Sequence, residues 1–559
     1  MTDDAMTDDR TPGLNRRRFL LSGAATFAAA AGATSLGLSL AGLDPAFAQG
    51  KPLVVAAPAT PQSLDTEFDG SLGTVDVIGC LYDSLIAFEV IPDPEMLTVR
   101  REDVADYPDL PGNVKIVGKL AESWTVGEDG TWAEFKLRQG VLSNWGNELT
   151  SADVVWTWER KFALGAIGGF FTKLLGMSGP ENVVAVDPYT VRFQLPQANP
   201  LLMKLQLNLY NNIFDSIKCK EMATAEDPWA RDFIANESAG FGPYKIGALA
   251  RGQQIALVAN ENYWGGVPAI TQIIYKEVPT SATRASLLQG GAVDLALILQ
   301  PLELEQLAQV PDVAIETVKA SPMFWIELNT AFAPFDKVEV RQAMNYAFPK
   351  EEVLATIYRG RASAMTGAMP SIYPGFDPSA EIYKADLAKA KALLDSVGLG
   401  GGFETTLAYN AGDPIQEPMA ILYQTALREI GVEAVLKKIP AGTYFNEVSG
   451  RTQPMIFFSD TPWCPDPGYS MQLYFDSATF SNYGNYKNDR VDELIKAASL
   501  SADNAERFAM MAEAQKIVGE EAPWVFVSYP NYTIARRSNV QGFVYYTANN
   551  LRFQDLSYA

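Results

Sequence analysis

Residues 120–138 read LAESWTVGEDGTWAEFKLR, and residues 149–155 read LTSADVV. The first block predicts a β-hairpin, because two runs rich in aromatic and β-branched residues flank the GEDG sequence at 127–130, and Asp-Gly readily supplies the positive φ of a tight turn. The second block predicts the start of a helix, since the Thr150 hydroxyl is a good cap and the acidic Asp153 follows three residues later. The chain therefore mixes strands and helices from this point on.

Strands and helices alternate along the rest of the chain. Apolar runs such as 455–458 predict strands, and amphipathic stretches at 386–397 and 418–430 predict helices that each end at a glycine. This alternation predicts α/β lobes whose sheets are parallel in part. The chain has 559 residues, which is too many for one hydrophobic core, so two or three domains are expected.

Composition excludes several classes of function. The chain carries 44 Lys+Arg against 66 Asp+Glu, a net charge of -22, and such acidity argues against nucleic-acid binding. It has no histidine, which excludes a Ser-His-Asp triad and a His-ligated zinc within the chain. Cys80, Cys219 and Cys464 are far apart in sequence, so we expect inert thiols, no metal and no cofactor.

Residues 1–48 predict a cleavable export signal. Two arginines, Arg16 and Arg17, precede Phe19-Leu20 and an uncharged run that continues to residue 43. The sequence Ala-Phe-Ala at 46–48 has the small residues that a signal peptidase reads, so we expect cleavage after Ala48. The block resembles a twin-arginine signal, which implies a periplasmic mature protein. A transmembrane anchor is the alternative, but the run is poor in Leu, Ile and Val.

Further motifs match one known family. They are Ser63-Leu64-Asp65, Gly242-Pro243-Tyr244, Asn260 with Tyr263 and Trp264, and Val340-Arg341-Gln342-Ala343-Met344. Together with the two opening blocks, these motifs resemble the extracytoplasmic solute-binding proteins of ABC importers, in the family that includes dipeptide-, oligopeptide- and nickel-binding proteins. The similarity extends over about residues 52–540, although residues 143–146 read SNWG where the family has Phe-His-Asp-Gly.

The resemblance implies an α/β, two-lobed periplasmic-binding-protein fold, type II-like, with an additional α+β subdomain on the first lobe. By motif order, lobe one comprises 49–90, 209–320 and 524–559, the extra subdomain 91–208, and lobe two 321–523. The chain would then cross between the lobes near residues 320 and 523.

The segment 459–467, SDTPWCPDP, is the best candidate for a ligand contact. It follows a predicted strand, and α/β clefts bind ligands at the carboxyl ends of strands. It resembles the family's Trp-x-x-Asp segment, whose Asp pairs with the α-ammonium of a peptide. Asp466 has that spacing from Trp463, with Cys464 between them, but Asp460 remains the alternative anchor because Asp466-Pro467 also fits a later Asp-Pro of the family.

Other site residues follow from their positions in the resemblance. Tyr444 and Arg451 lie where oligopeptide binders place an aromatic and a basic ligand contact. Phe170 and Phe171 are candidates for a cleft wall contributed by the extra subdomain, with core packing as the alternative, and Trp145 is equally compatible with either role.

The resemblance implies a binding protein without catalytic residues. Its partners would be a peptide-like or other small amine-bearing solute and the permease subunits of the importer, and we expect a monomer. An exported hydrolase that uses paired carboxylates is one alternative, because such chemistry needs no histidine. A chaperone or sensor that reuses the binding fold is another. Peptides, opines, amines and oligosaccharides all remain possible ligands.

Overall fold

The computed structural model describes residues 50–69, 72–377, 383–501 and 503–559. The signal predictions at Arg16, Arg17 and Ala48 lie outside the described residues. Within the described ranges, no helix combines the length and the apolar character that crossing a membrane requires.

The described elements are numbered in chain order. The strands are β1 (Leu53–Ala57), β2 (Ile86–Phe88), β3 (Val90–Pro92), β4 (Arg100–Glu102), β5 (Ile116–Gly118), β6 (Ala121–Val126), β7 (Trp132–Leu137), β8 (Val183–Asp187), β9 (Thr190–Gln194), β10 (Tyr244–Ala250), β11 (Gln254–Ala259), β12 (Gln272–Glu277), β13 (Leu295–Ala296), β14 (Val313–Val318), β15 (Met323–Leu328), β16 (Ala362–Ala364), β17 (Phe403–Asn410), β18 (Val432–Ile439), β19 (Met455–Asp460), β20 (Trp524–Pro530), β21 (Tyr532–Arg537), β22 (Val540–Gln541), β23 (Val544–Tyr545) and β24 (Ser557–Tyr558). The helices are α1 (Leu72–Leu81), α2 (Ser151–Leu164), α3 (Ile167–Leu174), α4 (Leu202–Gln206), α5 (Ser216–Met222), α6 (Arg231–Asn236), α7 (Ser281–Gln289), α8 (Pro301–Leu307), α9 (Val338–Ala347), α10 (Lys350–Glu352, continued by a π-helical turn at Val353–Ile357), α11 (Leu387–Ser396), α12 (Gln416–Glu429), α13 (Ala441–Ser449), α14 (Pro467–Phe475), α15 (Asp489–Leu500) and α16 (Asn504–Glu521).

Seven described strands form the first sheet, in the order β10-β11-β12-β1-β13-β21-β14. β1 runs parallel to β12 and to β13, whereas the other pairs are antiparallel. The central position of β1 explains its apolar sequence LVVAA, because a strand covered on both faces buries every side chain.

The second sheet has the described order β16-β20-β15-β19-β17-β18. β15 is buried along its whole length and pairs antiparallel with β19 and β20. Trp325 of β15 stacks on Trp524 of β20 with ring centroids 4.1 Å apart, so aromatic packing holds the middle of this sheet together. β17 runs parallel to both of its neighbours, as the alternation of strands and helices predicts.

The chain passes between the two sheets twice. It leaves the first sheet after β14 and enters the second at β15, over residues 319–322, close to the predicted crossing at 320. It returns through Asn531, which joins β20 to β21. The predicted boundary at 523 placed β20 in lobe one, but β20 pairs with β15 in the second sheet. We call residues 323–530 the second lobe and the part that carries the first sheet the first lobe.

The opening blocks of the sequence form the third sheet, in the order β6-β7-β9-β8. β6 and β7 make the predicted hairpin, and Gly130 adopts a φ of 67° in its turn. The N–H of Thr150 donates to the Asp153 carboxylate across 2.7 Å, so the predicted cap of α2 is confirmed. This sheet and α2 lie within residues 91–208, the range predicted for an extra subdomain.

Candidate functional site

The loop 461–466 connects β19 to α14 and meets residues 170–171 and 204–210, which precede the second lobe in the chain. We call this contact zone the seam. The predicted ligand segment therefore lies at the carboxyl end of a strand, as expected, and it faces another part of the molecule. The seam is the candidate site because its contacts join the second lobe to the rest of the chain.

Trp463 is the largest side chain of the loop at the seam. Its ring lies 4.6 Å from that of Tyr210 and 6.0 Å from that of Phe171, measured between centroids. The Asn208 side-chain amide donates to the Trp463 carbonyl across 2.8 Å. Phe170 touches the rings of Tyr469 and Phe480 from the same side. The predicted aromatic residues Phe170, Phe171 and Trp463 are thus brought together.

Asp466 is fully buried and strongly bound. One of its oxygens lies 2.7 Å from the Lys204 ammonium, and the other lies 2.6 Å from the Arg507 guanidinium. Asp466 also caps α14 by accepting hydrogen bonds from the N–H groups of Gly468 and Tyr469. Burial alone would raise the pKa of Asp466, but Lys204 and Arg507 outweigh it and hold the pKa well below its usual range. Two cations of the protein already occupy the position that a ligand ammonium would take.

Asp460, at the end of β19, has a different environment. It is half-buried and accepts hydrogen bonds from the Tyr474 hydroxyl, at 2.9 Å, and from the N–H of Thr461, at 2.7 Å. In the described part of the chain, no cation lies within ion-pair distance of its carboxylate. Burial raises the pKa of Asp460, and the two hydrogen bonds counter that rise only in part.

Tyr210 packs on Trp463 at the seam. Its hydroxyl is buried and has no hydrogen-bond partner among the described residues. Burial raises the pKa of Tyr210, and the negative charges of Asp69 and Asp460 add to that effect. Tyr210 therefore brings to the seam a buried phenolic donor that has no hydrogen-bond partner among the described residues.

Of the remaining predicted residues, Tyr444 and Arg451 lie away from the seam contacts, whereas Cys464 lies at the seam. Tyr444 is buried beneath β19, and its hydroxyl donates to the Phe457 carbonyl. Arg451 donates to the side chain of Asn485 and to the carbonyls of residues 479 and 480, so its guanidinium is engaged within the second lobe. Cys464 lies in the loop at the seam but is fully buried, and burial raises the pKa of its thiol.

Trp145 is placed away from the seam contacts. It is 44% exposed, and its indole N–H donates to the Ser238 carbonyl across 2.7 Å. The Lys218 ammonium lies 4.3 Å from the centre of its ring, and Phe233 packs beside it. These contacts join Trp145 to residues 218–238.

Sequence reasoning missed Lys204, Asn208 and Tyr210. One signal was available for Lys204, because it is the single charge in the apolar run at 201–210 and a charge in such a run is buried only with a partner. No comparable signal marks Asn208 or Tyr210. In the described residues, no cluster of three or more His, Cys, Asp or Glu side chains could hold a metal ion.

The family described as bacterial extracellular solute-binding proteins, family 5 Middle, matches residues 115–482. The chain belongs to this family. The match spans the third sheet, the crossing at 319–322 and the loop at the seam, so the resemblance read from the motifs is confirmed.

Several characterised relatives of this family 5 chain are binding proteins. A probable D,D-dipeptide-binding periplasmic protein of Escherichia coli K12 is 28% identical and aligns with 88% of this chain and 91% of its own length. The heme-binding protein A of Haemophilus influenzae is 28% identical over 78% of this chain and 82% of its own length. The dipeptide-binding protein of Escherichia coli K12 is 26% identical over 94% of this chain and 98% of its own length.

Solved structures confirm the fold class of this family 5 protein. A periplasmic binding protein from Helicobacter pylori, in complex with the peptide STSA, superposes with a TM-score of 0.79 at 25% identity, covering 91% of this chain and 98% of that chain. A dipeptide-binding protein from Pseudoalteromonas in complex with Met-Leu has the same TM-score at 21% identity, covering 91% of this chain and all of that one. The α/β periplasmic-binding-protein-like fold is therefore established.

Proposed function

We propose that this chain is the periplasmic solute-binding component of an ABC importer, which captures a small amine-bearing, peptide-like solute between its lobes and delivers it to the permease. Its relatives include proteins named for binding dipeptides, glutathione and heme, and related structures hold peptides or opines. The two crossings at 319–322 and Asn531 would serve as the hinge about which the first lobe, with the extra subdomain, closes on the second.

The observation that carries this proposal is the difference in binding partners between the two candidate carboxylates, Asp466 and Asp460. Asp466 is saturated by Lys204 and Arg507, whereas Asp460 is half-buried, accepts a hydrogen bond from Tyr474 and has no cation at ion-pair distance in the described structure. A partly desolvated carboxylate is costly unless a positive group joins it. Asp460 is therefore the better anchor for a ligand ammonium, and the aromatic residues would cover the apolar part of the solute.

Native mass spectrometry of the purified protein tests the proposal by identifying a solute that co-purifies with it. Thermal shifts with dipeptides, opines, polyamines and oligosaccharides follow, and a solute at a hundred times its Kd stabilises by about 2.7 kcal/mol. We expect an amine-bearing solute to bind and Asp460→Asn to weaken it about tenfold or more.

The pH dependence of this binding provides a second check. Only the ionised form of Asp460 attracts an ammonium, and burial raises its pKa, so affinity should fall as the pH is lowered through that pKa. Asp460→Asn should remove this dependence in calorimetric titrations. If no solute of the panel binds, the proposal has no support. If the solute binds Asp460→Asn with an unchanged Kd, Asp460 is not the anchor, but the proposed function still stands.

A further inference from the structure

We infer that Lys204 is a positioning residue for closure, which holds the loop 461–466 of the second lobe against Tyr210 through its ion pair with Asp466. The inference rests on the proposed function in one respect, which is that closure of the lobes captures a solute. Family membership does not supply it, since it depends on a pair of side chains 262 positions apart that the fold brings together.

The burial of this pair sets it apart from the ion pairs near the two crossings. The Lys204 and Asp466 side chains are 1% and 0% exposed, and their charged atoms are 2.7 Å apart. The contacts Lys319–Glu95 and Arg359–Glu305, which lie near the crossings, are exposed to solvent. Exposed pairs contribute little to stability, whereas breaking a buried pair by removing one partner costs much more.

The two cations that hold Asp466 come from different parts of the chain. Arg507 belongs to the second lobe, as Asp466 does, and it also binds the Asn504 side chain and the Ala498 carbonyl. Lys204 lies on α4, outside the second lobe, and Asp466 is the hydrogen-bond acceptor that the described structure gives its ammonium. When the lobes separate, Asp466 keeps Arg507 and its cap on α14, and it loses Lys204.

The pair also fixes the aromatic contacts of the seam. Asp466 begins α14, so its position determines where Tyr469 meets Phe170, with ring centroids 6.2 Å apart. Three residues earlier in the loop, Trp463 packs on Tyr210. Both contacts join aromatic rings, whereas the ion pair joins two buried charges of opposite sign at 2.7 Å. Lys204 therefore sets the register in which the two aromatic surfaces meet.

Lys204→Met, studied without any solute, tests the inference. Small-angle X-ray scattering should give a larger radius of gyration than for the wild type, and amide hydrogen exchange should be faster at residues 204–210 and 461–469. Lys350→Met is the matched control, because Lys350 is also buried but binds the carbonyls of Met365 and Tyr383 within the second lobe. The control should lower stability and leave both the radius and the exchange at the seam unchanged.

Three results would overturn the inference. The first is that folded Lys204→Met has the same radius of gyration as the wild type. The second is that its amide exchange at residues 204–210 and 461–469 equals that of the wild type. The third is that Lys350→Met shows the same increase in radius and exchange as Lys204→Met. If Lys204→Met does not fold, the double variant Lys204→Met/Asp466→Asn removes both charges and is judged by the same two measurements. Because neither measurement needs a solute, a failure here is distinct from a failure of the proposed function, which the thermal shifts test.

Discussion

At the scale of single residues, Asp460 and Asp466 show how environment separates two identical side chains in one loop. Asp466 has two cations and two backbone donors, and its pKa is lowered, whereas the pKa of Asp460 is raised by burial. The ionised form of Asp466 thus stabilises the fold, whereas the ionised form of Asp460 is available for the proposed role as a ligand anchor.

Asp466→Asn should therefore lower the free energy of unfolding by about 3–5 kcal/mol, because it strands Lys204 and Arg507 in a buried site. Asp460→Asn should change it by less than about 1 kcal/mol, since an amide oxygen still accepts from Tyr474. Urea denaturation of both variants at pH 7 measures the difference. Equal losses in the two variants would contradict this assignment.

Glu327 provides a test of pH dependence. It is buried in β15 beside the indoles of Trp325 and Trp524, and burial raises its pKa to about 8, although hydrogen bonds from both indoles oppose the rise. Since the folded pKa lies above the unfolded value of 4.5, the stability from this group is complete below pH 4.5 and is lost as the pH rises to about 8. Each unit of the shift is worth about 1.4 kcal/mol.

Glu327→Gln removes this titration. Its free energy of unfolding relative to the wild type should increase between pH 5 and about pH 8 and then level off, as followed by urea denaturation at several pH values. Asp76, whose pKa burial raises to about 7, titrates in the same direction and remains in both proteins, so it cancels from the difference. A difference that does not vary with pH would show that Glu327 is already ionised in the folded protein.

At the scale of elements, β17 and β18 start from two glycines in close contact. Gly402 has a φ of 82°, and a Cβ built on it would lie 1.8 Å from the carbonyl oxygen of Gly431. Gly402→Ala should cost about 3 kcal/mol in unfolding free energy, because both the backbone conformation and the spacing oppose a side chain.

Gly401→Ala is the matched control for this change. No atom lies within 4 Å of a Cβ at Gly401, so its substitution should alter stability by less than about 0.5 kcal/mol. Thermal unfolding of the two single variants compares neighbouring glycines in the same turn. Similar losses for both would mean that the turn, and not the contact with Gly431, is responsible.

The predicted export signal at residues 1–48 can also be tested. Changing Arg16 and Arg17 together to Lys should leave the precursor in the cytoplasm, because a twin-arginine receptor reads that pair. In the wild type, the mature chain should begin at Gln49, as N-terminal sequencing of the periplasmic protein would show. Normal appearance of mature protein in the periplasm of the double variant would contradict a twin-arginine route.

Local elements were the most predictable part of this molecule. The hairpin of β6 and β7 and the cap of α2 follow from residues close in sequence, so turn and capping chemistry predicts them. Some family motifs also have a physical reason. Gly242 packs on the backbone of residues 81–82 with no room for a Cβ, and the Arg341 guanidinium binds backbone carbonyls at Phe335 and Glu521.

At the scale of the whole molecule, sequence reasoning succeeded for the fold class and failed for long-range pairing. The apolar sequence of β20 suits either sheet, so nothing local shows that it pairs with β15 and that the crossing is at Asn531. The prediction of the candidate site was limited in the same way. The loop 461–466 was found from its place after a strand, but its partner Lys204 lies on a distant helix.

The order of strands in the first sheet has a consequence for the time course of synthesis. β1 is made first, yet its sheet is complete only when β21, near the carboxyl terminus, takes its place between β13 and β14. The second lobe is one continuous stretch and leaves the ribosome before β21. The neighbours of β1, which are β12 and β13, are made long before β21, so β13 and β14 are the strands that wait. At roughly 5–20 residues per second, they wait on the order of tens of seconds. Throughout that interval the edges of β13 and β14 that β21 will cover are unpaired, so we expect newly made chains to depend on chaperones for the first lobe more than for the second.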